Sequence, residues 1–237
     1  MNEPVVNSQV ATDRLARRLP VSAETATGTA KGSQAVAHRE VPSIEISACT
    51  APATLARLSA HPDLDAFRPP DSQLRALVTI ASEPGGCIAT AVEAERGRLI
   101  GYAAFHRPSA IEPWGADRSG ALIELGAVEV ASGYRGMKLA EHLLSAGFSG
   151  GRYDDTVVFA TLYRWHYDLE RSKLGELGYR RMLERLYGSA GFTARDTTDP
   201  EIGAHAANRL MVRVGERADT AIVAEFERLR LATGNRW

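Results

Sequence analysis

The residues with the clearest chemical potential lie between Leu122 and Phe148, where an apolar strand-like segment leads through a short basic turn into a helix-like segment. Such a turn gathers unpaired backbone N–H groups at the positive end of the helix dipole, which makes an anion site. Arg135 can add contacts to a phosphate, Gly136 allows close approach of the backbone, and Ala140 leaves room beside the first helical turn. The pattern predicts phosphate binding, and a turn that serves packing alone is the alternative.

Two carboxylates interrupt the apolar segment from Ala121 to Val130. Glu124 and Glu129 are unusual there, because a charge in the middle of a sheet is costly unless it is paired or functional. Either could act as a general base, directly or through a water molecule. Their separation of five residues places them on opposite faces of a regular strand, although a bulge would change that parity. The alternatives are a salt bridge from Glu129 to Arg135 or Lys138, and a solvated edge position for Glu124.

Two motifs resemble those of the GNAT superfamily of N-acetyltransferases. The first is the turn Tyr134-Arg135-Gly136-Met137-Lys138-Leu139-Ala140, which is similar to that superfamily's diphosphate-binding turn. The second is Leu186-Tyr187-Gly188-Ser189-Ala190-Gly191-Phe192, which is similar to its helix-to-strand junction and follows in the same order along the chain. The resemblance implies an N-acetyltransferase that uses acetyl-CoA as co-substrate. It also implies an α/β (α+β) fold with a mixed, mostly antiparallel, splayed sheet flanked by helices.

The resemblance further implies where acetyl-CoA binds, namely in the splay between the strands Ala121 to Val130 and Thr156 to Leu162, with its diphosphate on the turn. The implied contacts are Val128, Val130, Arg135, Gly136, Met137, Lys138, Leu139 and Ala140. The superfamily usually has glycine at the position of Lys138. If the φ angle there is helical, the lysine has no steric cost and adds positive charge near the phosphates.

The same resemblance implies catalytic roles. Glu124 matches the position of the general base in several histone acetyltransferases, whereas Glu129 lies closer to the end of the strand, where we expect the thioester. A backbone N–H near Val130 is the expected donor to the developing oxyanion. Tyr187 is the expected acid that protonates the departing thiolate, and a core aromatic residue is the alternative.

A narrower resemblance, to the acetoin-utilisation family AcuA, extends from about His61 to Gly215. It is carried by the segments His61-Pro62-Asp63-Leu64, Ala66-Phe67-Arg68, Leu122-Ile123-Glu124-Leu125-Gly126-Ala127-Val128-Glu129-Val130, Trp165-His166-Tyr167-Asp168-Leu169 and Pro200-Glu201-Ile202, and by His205, Ala207-Asn208 and Leu210-Met211. It implies a protein lysine acetyltransferase that modifies and inactivates AMP-forming acetyl-CoA synthetase. A small-amine acetyltransferase and a non-catalytic acyl-CoA sensor that inhibits the synthetase are the alternatives.

An aromatic segment, Tyr163 to Tyr167, follows the second of these strands and should border the entrance for the acceptor. Trp165, His166 and Tyr167 could form a docking surface for a protein, since aromatic residues and Arg dominate interface hot spots; a packed lid is the alternative. His205 and Asn208 fit a polar corner that stabilises a turn. The sequence contains no metal-binding cluster of the Cys/His type.

Strand-like and helix-like segments alternate from Val41 onward, which predicts a mixed α/β domain over residues 41–237. The runs Ile88 to Val92 and Leu99 to Phe105 flank Glu95-Arg96-Gly97 and predict an antiparallel hairpin. A helix capped by Asp71 or Ser72 should end at Pro84-Gly85-Gly86. Residues 1–40 contain no Phe, Trp or Tyr and are predicted to form a disordered tail.

The composition excludes some classes of protein. The chain of 237 residues has 28 Lys and Arg against 29 Asp and Glu, so its charge gives no reason to expect nucleic-acid binding. It has neither an apolar run of about 20 residues nor the apolar block of a secretory signal, which predicts a cytoplasmic protein with no membrane contact. Its two cysteines, Cys49 and Cys87, provide no disulfide framework, and both are expected to be buried or inert.

Overall fold

The computed structural model describes residues 43–232, so the predicted disordered tail lies outside the described residues. The strands are β1 (Ile44–Ser47), β2 (Ser59–Ala60), β3 (Cys87–Glu93), β4 (Arg98–His106), β5 (Leu122–Val130), β6 (Val157–Leu162), β7 (Thr193–Arg195) and β8 (Arg209–Val214). The helices are α1 (Pro52–Leu55), α2 (Pro70–Ser82), α3 (Leu139–Gly147), α4 (Leu169–Ser172), α5 (Glu176–Gly188), α6 (Pro200–Gly203) and α7 (Thr220–Arg230). Short 3-10 helices include Pro113–Ala116, Ser132–Tyr134 and Arg164–His166.

All the strands join one sheet in the order β1-β3-β4-β5-β6-β8-β7, with β2 paired to β4 beside this path. The pairs β5–β6 and β2–β4 are parallel, and the other pairs are antiparallel. The predicted mixed, mostly antiparallel sheet flanked by helices is therefore confirmed. The predicted hairpin is also present, as β3 and β4 around the 3-10 turn Ala94–Arg96.

Helix α2 begins and ends with proline-containing segments. Pro70 occupies its first position, where the missing N–H costs no hydrogen bond, and the preceding Pro69 has no side-chain cap. The prediction that Asp71 or Ser72 caps this helix is thus wrong, because both lie inside its first turn. The helix ends at Ser82, just before the predicted stop at Pro84-Gly85-Gly86.

The helices cover both faces of the sheet. On one side, which we call the α3 face, Leu139, Leu143 and Leu144 of α3 pack on the sheet in a core that also includes α5. On the other, the α2 face, Leu77 of α2 packs beside β3 and β4. Further along the α2 face, Phe226 of α7 covers β6. This apolar burial, worth about 25 cal/mol per Å², fixes which strand residues point to which side.

Two irregularities in β5 position the candidate site. The register with β4 passes from Ala104 opposite Ala127 to Phe105 opposite Leu125, so Gly126 is an unpaired bulge. A Cβ atom at Gly126 would lie 2.3 Å from Nε2 of His106, so only glycine fits without moving that ring. In addition, β5 pairs with β6 only from Leu122 to Glu124. Beyond Glu124 the two strands separate, and a cleft opens between them.

Candidate active site

The bulge places Glu124 and Glu129 on the same face of β5. Their partners on β4 are His106 and Tyr102, which are four residues apart, so all four side chains point to the α2 face. Regular alternation along the strand predicted that the two glutamates lie on opposite faces. This does not hold, because Gly126 is an extra residue between them. Both carboxylates are buried.

Glu129 holds a loop to the sheet. Its Oε2 accepts a hydrogen bond of 2.6 Å from the Tyr102 hydroxyl, and its Oε1 accepts one of 2.8 Å from the backbone N–H of Ala66. Burial raises the pKa of Glu129, and these two hydrogen bonds oppose that rise. The alternative of a salt bridge to Arg135 or Lys138 is not formed. Each carboxylate oxygen accepts a hydrogen bond, so the orientation of Glu129 is fixed toward the loop and Tyr102.

Glu124 has a different environment. It occupies the last paired position of β5 and β6, at the base of the cleft, and only 8% of its surface is exposed. Burial raises the pKa of its carboxyl group to about 8, and the Glu112 carboxylate adds to the rise. No hydrogen bond from residues 43–232 offsets this burial. The carboxylate is therefore desolvated, unpaired and able to take a proton near neutral pH. The alternative of a solvated edge position does not hold.

The cleft-facing edge of β5 presents backbone donors. The N–H of Ala131 donates to the carbonyl oxygen of Ile100 on the β4 side at 2.9 Å. Because successive N–H groups along a strand point to opposite sides, those of Val128 and Val130 point into the cleft left by β6. Their side chains lie on the α3 face, as part of the partly buried rim of its core. The contacts of both residues to an extended ligand stay a prediction.

The turn between β5 and α3 forms the predicted concavity. Among the described residues, no protein group accepts a hydrogen bond from the backbone N–H groups of residues 136–141. Gly136 has φ +83°, and a Cβ there would have no neighbour within 4 Å, so the surface in front of it is open. Helix α3 starts at Leu139, directly behind this turn. Unpaired N–H groups, free space and a helix N-terminus together fit a diphosphate.

Lys138 does not have the helical φ angle that would let a lysine occupy this position without steric cost. It has φ +57° and ψ +21°, a left-handed conformation that glycine adopts more readily than any other residue. The superfamily's usual glycine at this position therefore has a structural reason. In this chain the lysine places a positive charge beside the turn at a steric cost of about 1–2 kcal/mol.

We expect Lys138→Gly to stabilise the protein while weakening binding of acetyl-CoA. The free energy of unfolding should rise by about 1 kcal/mol because the left-handed strain is relieved. The dissociation constant for acetyl-CoA should rise about fivefold because one cation is lost. Thermal unfolding and calorimetry measure the two effects. Lys173→Gly is the matched control, since Lys173 also has φ +57° but ends α4; weaker binding in this control would contradict the charge argument.

Arg135 is tied to another segment. Its guanidinium lies 2.7 Å from the carboxylate of Asp168, the residue that caps α4. Arg171 of α4 in turn forms two hydrogen bonds, of 2.8 and 2.9 Å, with Asp65. The loop that contains Asp65 and Ala66 is thereby linked to α4 as well as to Glu129. Ion pairs and hydrogen bonds thus connect the turn, α4 and the loop around the cleft.

Tyr187 lies on the α3 face, buried in the same core as α3. Its ring packs edge-on against Phe192, with ring centroids 5.4 Å apart. Burial raises the pKa of its hydroxyl group, and Tyr167, Tyr179 and the Glu124 carboxylate add to the rise. The phenol therefore remains protonated at neutral pH. The structure places Tyr187 in the core, as the alternative stated.

The aromatic segment after β6 is divided between surface and core. Trp165 is 58% exposed and stacks on Tyr163, with ring centroids 4.4 Å apart. His166 packs against Phe67, next to Ala66 in the loop that Glu129 holds, with ring centroids 4.9 Å apart. Tyr167, by contrast, is buried and donates a hydrogen bond of 2.6 Å to the carbonyl oxygen of Ala207. Trp165 and His166 are exposed and their docking role stays a prediction, whereas the ring of Tyr167 is part of the core and cannot form such a surface.

The polar corner before β8 has the expected structural role. Asn208 accepts a hydrogen bond from the N–H of Arg164 and donates one to the carbonyl oxygen of Glu201, which ties two loops together. His205 accepts one from the N–H of Ala207. Across residues 43–232, no group of three His, Cys, Asp or Glu side chains is arranged to hold a metal ion. None of the helices in this range is long and apolar enough to span a bilayer.

The cysteines differ from the prediction in one respect. Cys87 is buried, but Cys49 is exposed. The Cys87 thiol donates to the carbonyl oxygen of Ala48 at 3.3 Å, and its proximity lowers the pKa of Cys49. Cys49 is therefore not buried, and its reactivity stays a prediction.

Sequence reasoning missed the roles of Tyr102, Asp65 and Asp168, which hold the site together. Asp168 and Ala66, the residue bonded to Glu129, both lie in segments that carried the narrower resemblance, but no role was assigned to either. Tyr102 lies within the hairpin, and nothing in its sequence context indicates a partner 27 residues away.

Comparisons with known proteins agree with these observations. No family model matches the chain. It is 38% identical over 189 residues to the acetoin utilization protein AcuA of Bacillus subtilis, a match that covers 79% of this chain and 89% of that protein. The AcuA of Bacillus licheniformis is 35% identical over 188 residues, with the same coverage. A crystal structure of an acetoin utilization protein from Exiguobacterium sibiricum has a TM-score of 0.78 and 35% identity, and covers 80% of this chain and 89% of its own.

Proposed function

The chain belongs to the AcuA family of GNAT-type N-acetyltransferases, and on this premise we propose that it transfers the acetyl group of acetyl-CoA directly to a lysine side chain of a protein. The observation that carries this proposal is the buried, unpaired Glu124 at the base of the cleft between β5 and β6. The proposed acceptor protein is AMP-forming acetyl-CoA synthetase, which the AcuA resemblance implies. Acetylation would inactivate it.

The position of acetyl-CoA follows from the turn. The unpaired N–H groups of residues 136–141 suit the diphosphate, with Lys138 beside it. The pantetheine arm would extend from there along the edge of β5, past Val130 and then Val128, toward the base of the cleft. The thioester would then lie nearer to Glu124 than to Glu129. This reverses the expectation that the thioester sits at the Val130 end of the strand.

Glu124 is the proposed general base. A lysine ammonium has a pKa of about 10.4, so very little of it is nucleophilic at neutral pH. A carboxylate with a pKa of about 8 accepts its proton far more readily than one with the usual value. Glu129 is proposed as a positioning residue that fixes the loop at Ala66, since both its oxygens accept hydrogen bonds.

Two further groups complete the transfer. The N–H of Val128 would donate to the negative charge that develops on the acetyl oxygen, since it is the cleft-facing donor nearer to the base of the cleft. The departing sulfur can leave as a thiolate, because its conjugate acid resembles a thiol with a pKa of about 8.5. Burial raises the pKa of Tyr187 well above that value, so its hydroxyl would keep its proton and stabilise the thiolate as a hydrogen-bond donor.

The decisive experiment incubates the full-length protein with acetyl-CoA and purified AMP-forming acetyl-CoA synthetase, then maps the modified lysine by mass spectrometry. We expect one added acetyl group per synthetase and a parallel loss of synthetase activity. Glu124→Gln is the control that should bind the synthetase without modifying it. Inhibition with no added mass would favour an acyl-CoA sensor, and acetylation of free amines alone would favour a small-amine enzyme. Either result contradicts the proposal.

A further inference from the structure

Three carboxylates lie near Glu124: Glu112 is its neighbour, and Asp199 and Glu201 are neighbours of Glu112. Trp114 packs on Phe159, the partner of Glu124 on β6, with ring centroids 4.6 Å apart. Glu112 lies two residues before Trp114 and is the charged neighbour of Glu124. The other two carboxylates, Asp199 and Glu201, flank the start of α6, whose buried Ile202 belongs to the same core as Trp114.

Salt bridges do not neutralise these carboxylates within residues 43–232. Among the described residues, neither Glu112, Asp199, Glu201 nor Glu124 forms a salt bridge, although acidic residues elsewhere are often paired with arginine. Burial raises the pKa of Glu112, the nearby His106 opposes that rise, and Glu201 and Asp199 add to it, as expected for like charges held close together. The surface in front of Glu124 is therefore negative, with His106 as its basic neighbour.

Aromatic side chains border this negative surface. Tyr163 packs on the core that holds Trp114 and Ile202, and the three carboxylates each raise its pKa further after burial. Trp165 stacks on Tyr163 and presents most of its ring to solvent. An exposed indole beside unpaired carboxylates is a favourable surface for the long stems and charged ends of Lys and Arg.

We propose that this acidic and aromatic surface docks an acceptor segment in which the target lysine is flanked by further Lys or Arg residues. The inference rests on the proposed function, because it names the sequence context of the lysine that Glu124 deprotonates. The target lysine reaches Glu124 at the base of the cleft. The flanking cations lie against Glu112 and Glu201, and one aliphatic stem packs on Trp165.

Other occupants fit less well. The carboxylates are not arranged as a metal-binding group in residues 43–232. A small amine would fill the space next to Glu124 but would leave Trp165 and the outer carboxylates without contacts. An acidic or purely apolar segment would bury these charges without a partner, which is costly.

The test compares two synthetic peptides as acceptors, each with one central lysine, flanked in one by arginines and in the other by glycine and serine. The readout is the ratio of kcat/KM for the two peptides. We expect this ratio to exceed about tenfold for the wild-type protein at low salt and to decrease as NaCl is added. In the double variant Glu112→Gln/Glu201→Gln it should fall about tenfold, because two exposed charges that attract the flanking residues are lost. Both peptides are tested with the same variant. A change in the basicity of Glu124 therefore alters both kcat/KM values equally and cancels in their ratio.

Two controls make the outcome specific. The double variant Glu45→Gln/Glu216→Gln removes two exposed acidic residues elsewhere and should leave the ratio unchanged. Trp165→Ala removes an exposed ring and should lower the ratio without affecting the fold. Equal use of both peptides by the wild-type protein would overturn this inference and leave the proposed function intact. Transfer to neither peptide, nor to the synthetase, would overturn both.

Discussion

Replacing Glu124 with Gln should lower the rate constant for acetyl transfer by roughly 100- to 10,000-fold, the usual contribution of a general base. The amide keeps the size of the side chain but cannot accept the proton of the lysine ammonium. In the wild-type protein kcat/KM should rise with pH and level off above an apparent pKa of about 8, the value expected for Glu124. Initial rates with a lysine peptide between pH 6 and 10 measure both effects.

The same substitution should stabilise the protein above neutral pH. The folded-state pKa of Glu124 is raised from 4.5 to about 8, so the folded protein holds a proton that the unfolded chain releases. The resulting stability is fully present below pH 4.5 and is lost as the pH rises to about 8. At pH 8 and above, the free energy of unfolding of Glu124→Gln should exceed that of the wild type by a few kcal/mol. Near pH 4.5 the two should be alike.

Glu129→Gln is the matched control. Gln at this position keeps one acceptor oxygen for two donors, so the free energy of unfolding should fall by about 1–3 kcal/mol. The rate constant for transfer should change far less than in Glu124→Gln. If Glu129→Gln abolishes turnover while Glu124→Gln retains it, the assignment of the two carboxylates is reversed.

Introducing a carboxylate at Ala140 should abolish tight binding of acetyl-CoA without harming the fold. Ala140 lies in the first turn of α3, where a negative charge interacts favourably with the helix dipole, so Ala140→Glu should be as stable as the wild type. The same charge would occupy the anion site and repel the diphosphate. At an effective dielectric constant of about 20, like charges 6 Å apart repel by about 3 kcal/mol, which corresponds to a roughly 100-fold higher dissociation constant.

The neutral variant Ala140→Gln separates charge from size, because Gln and Glu side chains have the same shape. Calorimetry with acetyl-CoA should give a dissociation constant for Ala140→Gln within a few-fold of the wild-type value. Equal losses in both variants would mean that volume, rather than charge, matters at this position. Unchanged binding in Ala140→Glu would place the diphosphate elsewhere.

The sequence was sufficient to predict the strand, turn and helix of the site, because local patterns determine them. The turn between β5 and α3, the hairpin and the cleft edge of β5 lie where the motifs indicated. Contacts between distant segments were not predictable in this way. The hydrogen bond from Ala66 to Glu129 joins residues 63 positions apart, and no local sequence pattern predicts it. Similarly, the burial of Tyr167 depends on its contact with Ala207, 40 residues away.

A single residue, Gly126, decides whether Glu124 and Glu129 lie on the same face of β5 or on opposite faces. Alternation along a strand is a strict rule, so one extra residue reverses every side chain beyond it. Glycine is compatible with a bulge but does not by itself signal one. Here the register between β4 and β5 identifies the bulge, and the close approach of His106, which the sequence does not reveal, explains why glycine occupies it.

Because of Gly126, the geometry of the site depends on the number of residues in β5 as well as on which ionisable side chains are present. Deleting this one residue would restore an unbroken ladder between β4 and β5 and rotate half of the strand by about 180°. Glu124 and Glu129 would then face opposite layers, although every ionisable group would still be present. A relative that lacked this position could conserve both glutamates in an alignment and still be unable to present them together.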